Sequence, residues 1–431
     1  MLNLRKISLI SVSIWAICGW VEASAQTRLV SVSSEGAQAN LFSVRPEISA
    51  DGNMIAFISM AYNLSPSVAS PNMNIYVRNV AAKVTFLVSA IGKVRARGVN
   101  VDPAMSGDGT HVAFASDAAN LTTQNNRGHK QIYVVDLVSG TVTLASVEHD
   151  GSSGAGDSAT PSLSYDGRFV AFMSSAENLA KGCGGSTEHV YVRDLKRGST
   201  VCVSNAYAGG VANGPSSQPS ISADGRFVAF TSFASNITGP LWNKLANIYV
   251  KDMETGKTTL VSVSDDKDAN IRPSGDSTQP SISGDGQKVA FTAYAIGPSK
   301  GIQDAISQIY VRDIKEGRTL VASSSGRGVL SNAVDAQPRI STDGKFVVFL
   351  SAGTNLMPGE DNGHRKIYRY DLNSAHIMLV SRAIGGDQVN GDCFQPAISA
   401  NGSTIAFRSN ASNLIIGDTN FTDDVFVAAI K

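Results

Sequence analysis

A fourteen-residue phrase written seven times constrains this chain more than any other feature. PEISADGNMIAFIS at Pro46 recurs as PAMSGDGTHVAFAS at Pro103, PSLSYDGRFVAFMS at Pro161, PSISADGRFVAFTS at Pro219, PSISGDGQKVAFTA at Pro280, PRISTDGKFVVFLS at Pro338 and PAISANGSTIAFRS at Pro396. The copies lie 57 to 61 residues apart, so seven units of about 58 residues account for nearly the whole chain. A repeat of this period is one supersecondary unit, which buries its apolar faces only against copies of itself.

Each unit carries four strand signals. A run such as PSIS leads into Asp-Gly, a strong hairpin signal because both residues tolerate positive φ, and then into FVAF-type alternation. After a loop comes a third run, such as IYVRNV or IYVKDM, then a turn and a fourth run, such as TTLVSVS at Thr258. Four strands that are apolar on both faces make a sheet that packs between two others like it. The fold class is therefore all-β, a seven-bladed β-propeller of four-stranded antiparallel blades. The last unit stops at DDVFVAAIK, its third strand, while TRLVSVS at residues 27–33 matches the fourth strand of the other units. The N-terminal strand is expected to complete the last blade and close the ring, with residues 26–431 as a single domain.

Charge and the N-terminus narrow the partners and the compartment. Lys and Arg number 36, as do Asp and Glu, and charged residues make up 17% of the chain where about 25% is usual. This balance speaks against nucleic acid as a partner. MLNLRK, an apolar run from Ile7 to Val21 and Ala23-Ser24-Ala25 have the layout of a secretory signal peptide over residues 1–25, cleaved after Ala25. The run is shorter than the roughly 20 residues of a membrane span. A periplasmic or secreted bacterial protein with no membrane span is expected.

The repeated P-x-I-S-x-D-G-x-x-V-A-F followed by I-Y-V-x-D resembles the TolB-type propeller repeat, a relative of the WD repeat. The resemblance covers nearly all of residues 26–431 and implies the propeller fold and an envelope location. TolB itself has a separate N-terminal domain and six blades, so the resemblance is to the repeat and not to that protein. The sialidase Asp-box pattern is absent, and seven units of about 58 residues leave no room among these residues for the α/β domain of propeller-bearing peptidases.

Candidate functional residues fall into classes. Asp51, Asp108, Asp166, Asp224, Asp285, Asp343 and Asn401 recur in every hairpin with a Gly and are read as turn formers. Phe57 and its six counterparts are read as core against the following blade, with the preceding small residue letting that interface close. Strand direction places the short turns on one face and the long loops on the other, and long loops on a rigid scaffold are the expected working surface. Gln218, Gln279, Gln337 and Gln395 precede the repeat Pro in four successive units and are expected to ring one mouth of the central channel. They would serve a polar ligand or satisfy backbone and channel water. Trp242, with Phe233, Tyr207 and Tyr294 on neighbouring loops, forms a candidate aromatic contact sector.

Acidic residues in the long loops include Asp265, Asp266 and Asp268, and a weak calcium candidate at Asp418, Asn420, Asp423 and Asp424. The histidines show no zinc-ligand spacing, and no cofactor is expected. Cys183 and Cys202 fall in one unit as a candidate disulfide, leaving Cys393 unpaired. The preferred reading is a non-enzymatic scaffold binding a protein or cell-envelope component, with a glycan as a further possible partner. The alternative is a carbohydrate-active hydrolase or lyase with carboxylates such as Asp102 and Asp335 converging at the channel mouth.

Overall fold

The Ser-x-Asp-Gly stretch of each unit folds into a self-contained turn. In the first unit Ser49 Oγ donates to Asp51, Asn53 N–H donates to the same carboxylate at 2.9 Å, and Met54 N–H donates to Ser49 Oγ at 3.0 Å. The Ser-to-Asp or Ser-to-Asn bond recurs in the other six units. These acidic residues hold turns. Gly225 shows why Gly follows: its φ is 77°, and a Cβ there would stand 2.2 Å from the Phe169 ring of the preceding blade.

The computed structural model describes residues 25–92, 94–185, 187–239, 245–263, 273–295 and 306–430. Among these residues the hairpins extend into seven four-stranded antiparallel sheets. The first blade runs from the inner strand Ser43–Ile48 through Met54–Ser59 and Asn74–Asn79 to the outer strand Val84–Leu87. The seventh takes three strands from the C-terminus, Cys393–Ile398, Thr404–Ser409 and Asp424–Ile430, and its outer strand, Ala25–Leu29, from the N-terminus. Ala25 pairs with Ile430 and Leu29 with Phe426. The ring closes as expected, but the closing strand ends earlier than the repeat match suggests. Val30 and Ser31 N–H both turn onto Val425 O, at 2.8 and 3.4 Å, which ends the ladder. Val88 and Ser89 do the same onto Ile75 O in the first blade.

Seven apolar clusters lie between adjacent blades. Strand alternation decides which side chain meets which neighbour. Phe114 of the second blade packs with Ala56 and Ile58 of the first, while Ala113 and Ala115 face Phe172 of the third. The phenylalanines thus fill the interface with the preceding blade, not the following one. The small residue beside each receives the next blade's ring, so the pairing is the reverse of the sequence expectation. Each Phe also stacks on an aromatic ring of the third strand, with centroids 5.7 to 6.1 Å apart. Full burial of one such side chain contributes about 2 kcal/mol.

Candidate functional site

The inner strands enclose a channel of about 380 Å³. Each inner strand is interrupted by a bulge at the repeat Pro, where the ladder to the second strand skips two residues, as between Val44 and Glu47. Proline fits there because its position needs no ladder N–H. The residue before it takes a left-handed conformation in every blade. Arg45, Asp102, Thr160, Gln218, Gln279, Gln337 and Gln395 have φ between 49° and 58°, a region sparsely populated by side-chain-bearing residues. This turns all seven side chains to the channel wall, at the long-loop end.

Hydrogen bonds between blades hold these residues in place. Gln279 N–H donates to Gln218 Oε1 (2.9 Å), Gln337 N–H to Gln279 Oε1 (2.8 Å), Gln395 N–H to Gln337 Oε1 (2.7 Å) and Arg45 N–H to Gln395 Oε1 (3.0 Å). Thr160 N–H donates to Asp102, whose carboxylate also takes the Arg45 guanidinium. Deeper in the channel, Ser162, Ser220 and Ser281 hydroxyls accept the N–H of Ile221, Ile282 and Ile340 of the next blade. At the short-turn end the hairpins join through backbone alone. Seven N–H to O bonds of 2.8 to 3.0 Å run round the ring, from Ala50 to Gly107 through to Ala400 back to Ala50.

Charge is confined to two pairs on one side. Arg339 reaches Glu47 at 3.4 Å, spanning from the sixth blade to the first, and Arg45 holds Asp102. Burial pushes the Glu47 carboxyl up and Arg339 pulls it back. Burial lowers the Arg45 pKa; Glu47 opposes this, and the nearby Arg339 and Arg408 lower it further. Of the two carboxylates proposed for the channel mouth, only Asp102 lines it. Asp335 is fully buried, accepting from Ser331 Oγ at 3.0 Å, and burial lifts its pKa to about 8. It lies before the bulge that reverses the strand's facing, so it points between blades while Gln337 points to the channel. The pair does not converge.

The long-loop face is built differently. Asparagines in the loop after the second strand staple the preceding blade's final loop: Asn63 Oδ1 accepts Asn40 N–H and Asn63 Nδ2 donates to Gln38 O, and Asn120, Asn178, Asn236, Asn355 and Asn413 repeat the staple. The recurrent Asn-Leu or Asn-Ile was the signal for it, unread above. Tyr207, Phe233 and Tyr294 are exposed on this face, Tyr294 near the end of the strand Lys288–Ala295 and not on a loop as expected, and Tyr207 N–H donates to Asn236 O, tying the loops of Tyr207 and Phe233 together. Trp242, and Asp265, Asp266 and Asp268, lie outside the described residues. Tyr62, Ile416 (89% exposed) and Phe421 (92% exposed) lie on the same face.

The acidic run at the last long loop is engaged by its own chain. Asp424 is buried and accepts from Ser31 Oγ, Gln38 Nε2 and Asn420 Nδ2, and burial raises its pKa to about 6. Asp418 also accepts from Gln38, and Asp423 faces Arg408 at 3.5 Å. Among the described residues no group of three or more His, Cys, Asp or Glu is arranged to hold a metal. Cys183 and Cys202 are joined by a disulfide. Cys393 is buried, and burial raises its thiol to about 11, which suits a packed side chain and not a nucleophile. No helix of the described residues is long and apolar enough to cross a membrane.

No family profile and no curated protein matches the sequence. Solved structures do. TolB from Acinetobacter baumannii matches at 17% identity and TM-score 0.39 over 66% of this chain and 54% of its own, so this chain spans about half of that protein. The β-propeller domain of the Trilobed protease from Pyrococcus furiosus matches at 12% identity and TM-score 0.52, over 86% of this chain and 91% of its own. An oligogalacturonate lyase from Vibrio parahaemolyticus matches at 12% identity and TM-score 0.54, over 95% of this chain and 99% of its own. At such identities the likeness is one of fold: this chain is a seven-bladed β-propeller whose structural neighbours include TolB-like proteins.

Proposed function

We propose that this chain is an exported, non-enzymatic β-propeller that binds a protein or cell-envelope component through its long-loop face. One observation carries the reading: most of the exposed large apolar side chains lie on that face, with Phe421, Ile416, Tyr207, Tyr62, Phe233 and Tyr294 among them, against Val138, Tyr165 and Val84 on the short-turn face, which is closed by backbone bonds. Exposed aromatics on loops pinned to a rigid ring are the composition of contact hot spots. In this reading the channel carboxylates are structural, Asp102 held by Arg45 and Glu47 by Arg339.

The test compares species cross-linked to the protein in native envelopes. Tyr207→Ala with Phe233→Ala should abolish capture of the partner, with about 2 kcal/mol lost per hot-spot residue once it is purified. Val138→Ala, on the short-turn face, serves as the control. Equal capture by all three proteins sinks the assignment of the face. Turnover of a glycan that disappears in Asp102→Asn would replace the binder reading by the enzymatic one.

A further inference from the structure

We infer that the long-loop mouth of the channel is a binding site for a small organic carboxylate. The inference goes beyond the partner surface above and does not rest on it.

The argument is an inventory of donors and acceptors. Each of the four glutamines accepts a backbone N–H, from the next blade, at its side-chain oxygen. A backbone N–H can bond only the oxygen of a carboxamide, so the orientation of all four is fixed. Thr231 and Thr292 hydroxyls add to the load on Gln218 and Gln279 Oε1, at 3.0 and 3.1 Å. The side-chain oxygens of the glutamines are thus occupied, as are both oxygens of Asp102, by Arg45 and Thr160 N–H, and one oxygen of Glu47, by Arg339.

The donors are not. The amide Nε2 groups of Gln218, Gln279, Gln337 and Gln395 all belong to residues lining the cavity, and none donates to a protein acceptor among the described residues. They occupy four consecutive blades and lead to Arg45 in the next, forming one arc. Below them Ser162, Ser220 and Ser281 accept backbone N–H groups through oxygen, which leaves their O–H free to donate. A wall whose side-chain donors are spare and whose side-chain acceptors are largely spent fits a ligand that only accepts. An ionised carboxylate is such a group, and bonds from neutral amides and guanidinium to it are the stronger, charge-assisted kind.

Charge at the mouth is balanced, Arg45 against Asp102 and Arg339 against Glu47, so selectivity for an acid rests on the donors. The volume, about 380 Å³, lies in the lower part of the range for small-molecule sites, roughly 300–1,000 Å³. The rigid bulges preorganise the arc, because each amide is held by the neighbouring blade's backbone and not by the ligand.

Glutarate and glucuronate are the probes, with glutaramide and glucose as neutral counterparts of matching shape, and thermal melts and calorimetric titrations as readouts. Saturable binding of either acid, with at least tenfold weaker binding of its neutral counterpart, is the expected result. Glucuronate alone assigns the site to sugar acids, and glutarate alone to aliphatic carboxylates. The decisive variants are Gln279→Glu and Gln337→Glu, singly and together. Each keeps an oxygen for the inter-blade N–H and replaces the amide donor by a repelling oxygen. They should weaken acid binding at least tenfold with the unliganded melt little changed, and a single variant serves where the pair unfolds. Equal binding of acid and neutral compound, no binding of either acid, or undiminished binding by the Glu variants overturns the inference. Tyr207→Ala with Phe233→Ala should leave these titrations untouched, so failure here is separable from failure of the partner face.

Discussion

The two mouths of the channel are made from the same seven repeats by opposite means. At the short-turn end seven backbone bonds between successive hairpins form a collar in which side-chain identity is irrelevant. At the long-loop end the equivalent position in each blade is a side chain, and its identity differs: Arg45, Asp102 and Thr160 in three blades, glutamine in four. The collar serves any propeller of this geometry. The other mouth has been written residue by residue, with left-handed backbone at all seven positions as its cost. Uniform chemistry marks the scaffold, and varied chemistry on identical geometry marks the place where a ligand can be told from another.

The largest effect belongs to closure, since it joins both mouths at the seam between the seventh and first blades. Deleting residues 25–33 removes the outer strand of the last blade together with Val30 and uncovers the interface holding Phe57 and Tyr76. The variant should aggregate, or melt far below the full chain, in size-exclusion and thermal measurements. If the variant is monodisperse with an unchanged melting temperature, the seam is held by the collar bond from Ala400 to Ala50 and the strand is dispensable.

Next comes the disulfide, which ties the long-loop side of the third blade to its outer strand and has no counterpart at the collar. Linking residues 19 apart in sequence should contribute about 3 kcal/mol on the chain-entropy account. Cys202→Ser should lower stability by about that amount, and non-reduced peptide mapping should recover Cys183 joined to Cys202. Recovery of both as free thiols refutes the assignment.

Most of the fold could be read from spacing alone, because a sevenfold phrase with Asp-Gly in it specifies hairpins, their number and the missing strand. What could not be read is whatever depends on the bulge. Gln337 and Asp335 stand two apart on one strand, so simple alternation puts them on one face, and the left-handed residue before Pro338 breaks that alternation. Asp102, which directly precedes Pro103, was the true counterpart of the glutamines. The direction in which Phe114 packs was equally hidden, since period 2 tells that two faces differ but not which neighbour each one meets.

Asp335 supplies a pH test on the same strand as Gln337. Its pKa is lifted from the ordinary 3.8 to about 8 by burial, so the folded chain keeps a proton that the unfolded chain has released. Stability should therefore fall as pH rises from about 4 to about 8 and level off above. One carboxylate oxygen, Oδ2, has no partner. The second blade carries Asn100 at the same place, accepting from Ser116 Oγ and donating to Met73 O and Gly98 O. Asp335→Asn should gain about 2 kcal/mol at pH 8, the scale of one relieved buried polar atom, and little at pH 4. A slope with pH that persists in the variant moves the titration to another group, Asp424 first.

The smallest effect is at Thr160, where the relay of the long-loop mouth is broken. Its hydroxyl oxygen is buried and without a partner, whereas the glutamines of the following four blades each accept the next blade's N–H. A threonine side chain is too short to serve as that acceptor, and its branched Cβ is poorly suited to a φ of 49°. Thr160→Gln lengthens the side chain at a position whose backbone is shared with four glutamines, so its Oε1 can take the Gln218 N–H. One added hydrogen bond and a relieved orphan oxygen should raise stability by about 1 kcal/mol, visible as a modest rise in melting temperature. The same substitution adds a fifth amide donor to the arc and should tighten glutarate or glucuronate. A variant that melts higher but binds no tighter would make the glutamines a second collar, differing from the backbone one only in its chemistry.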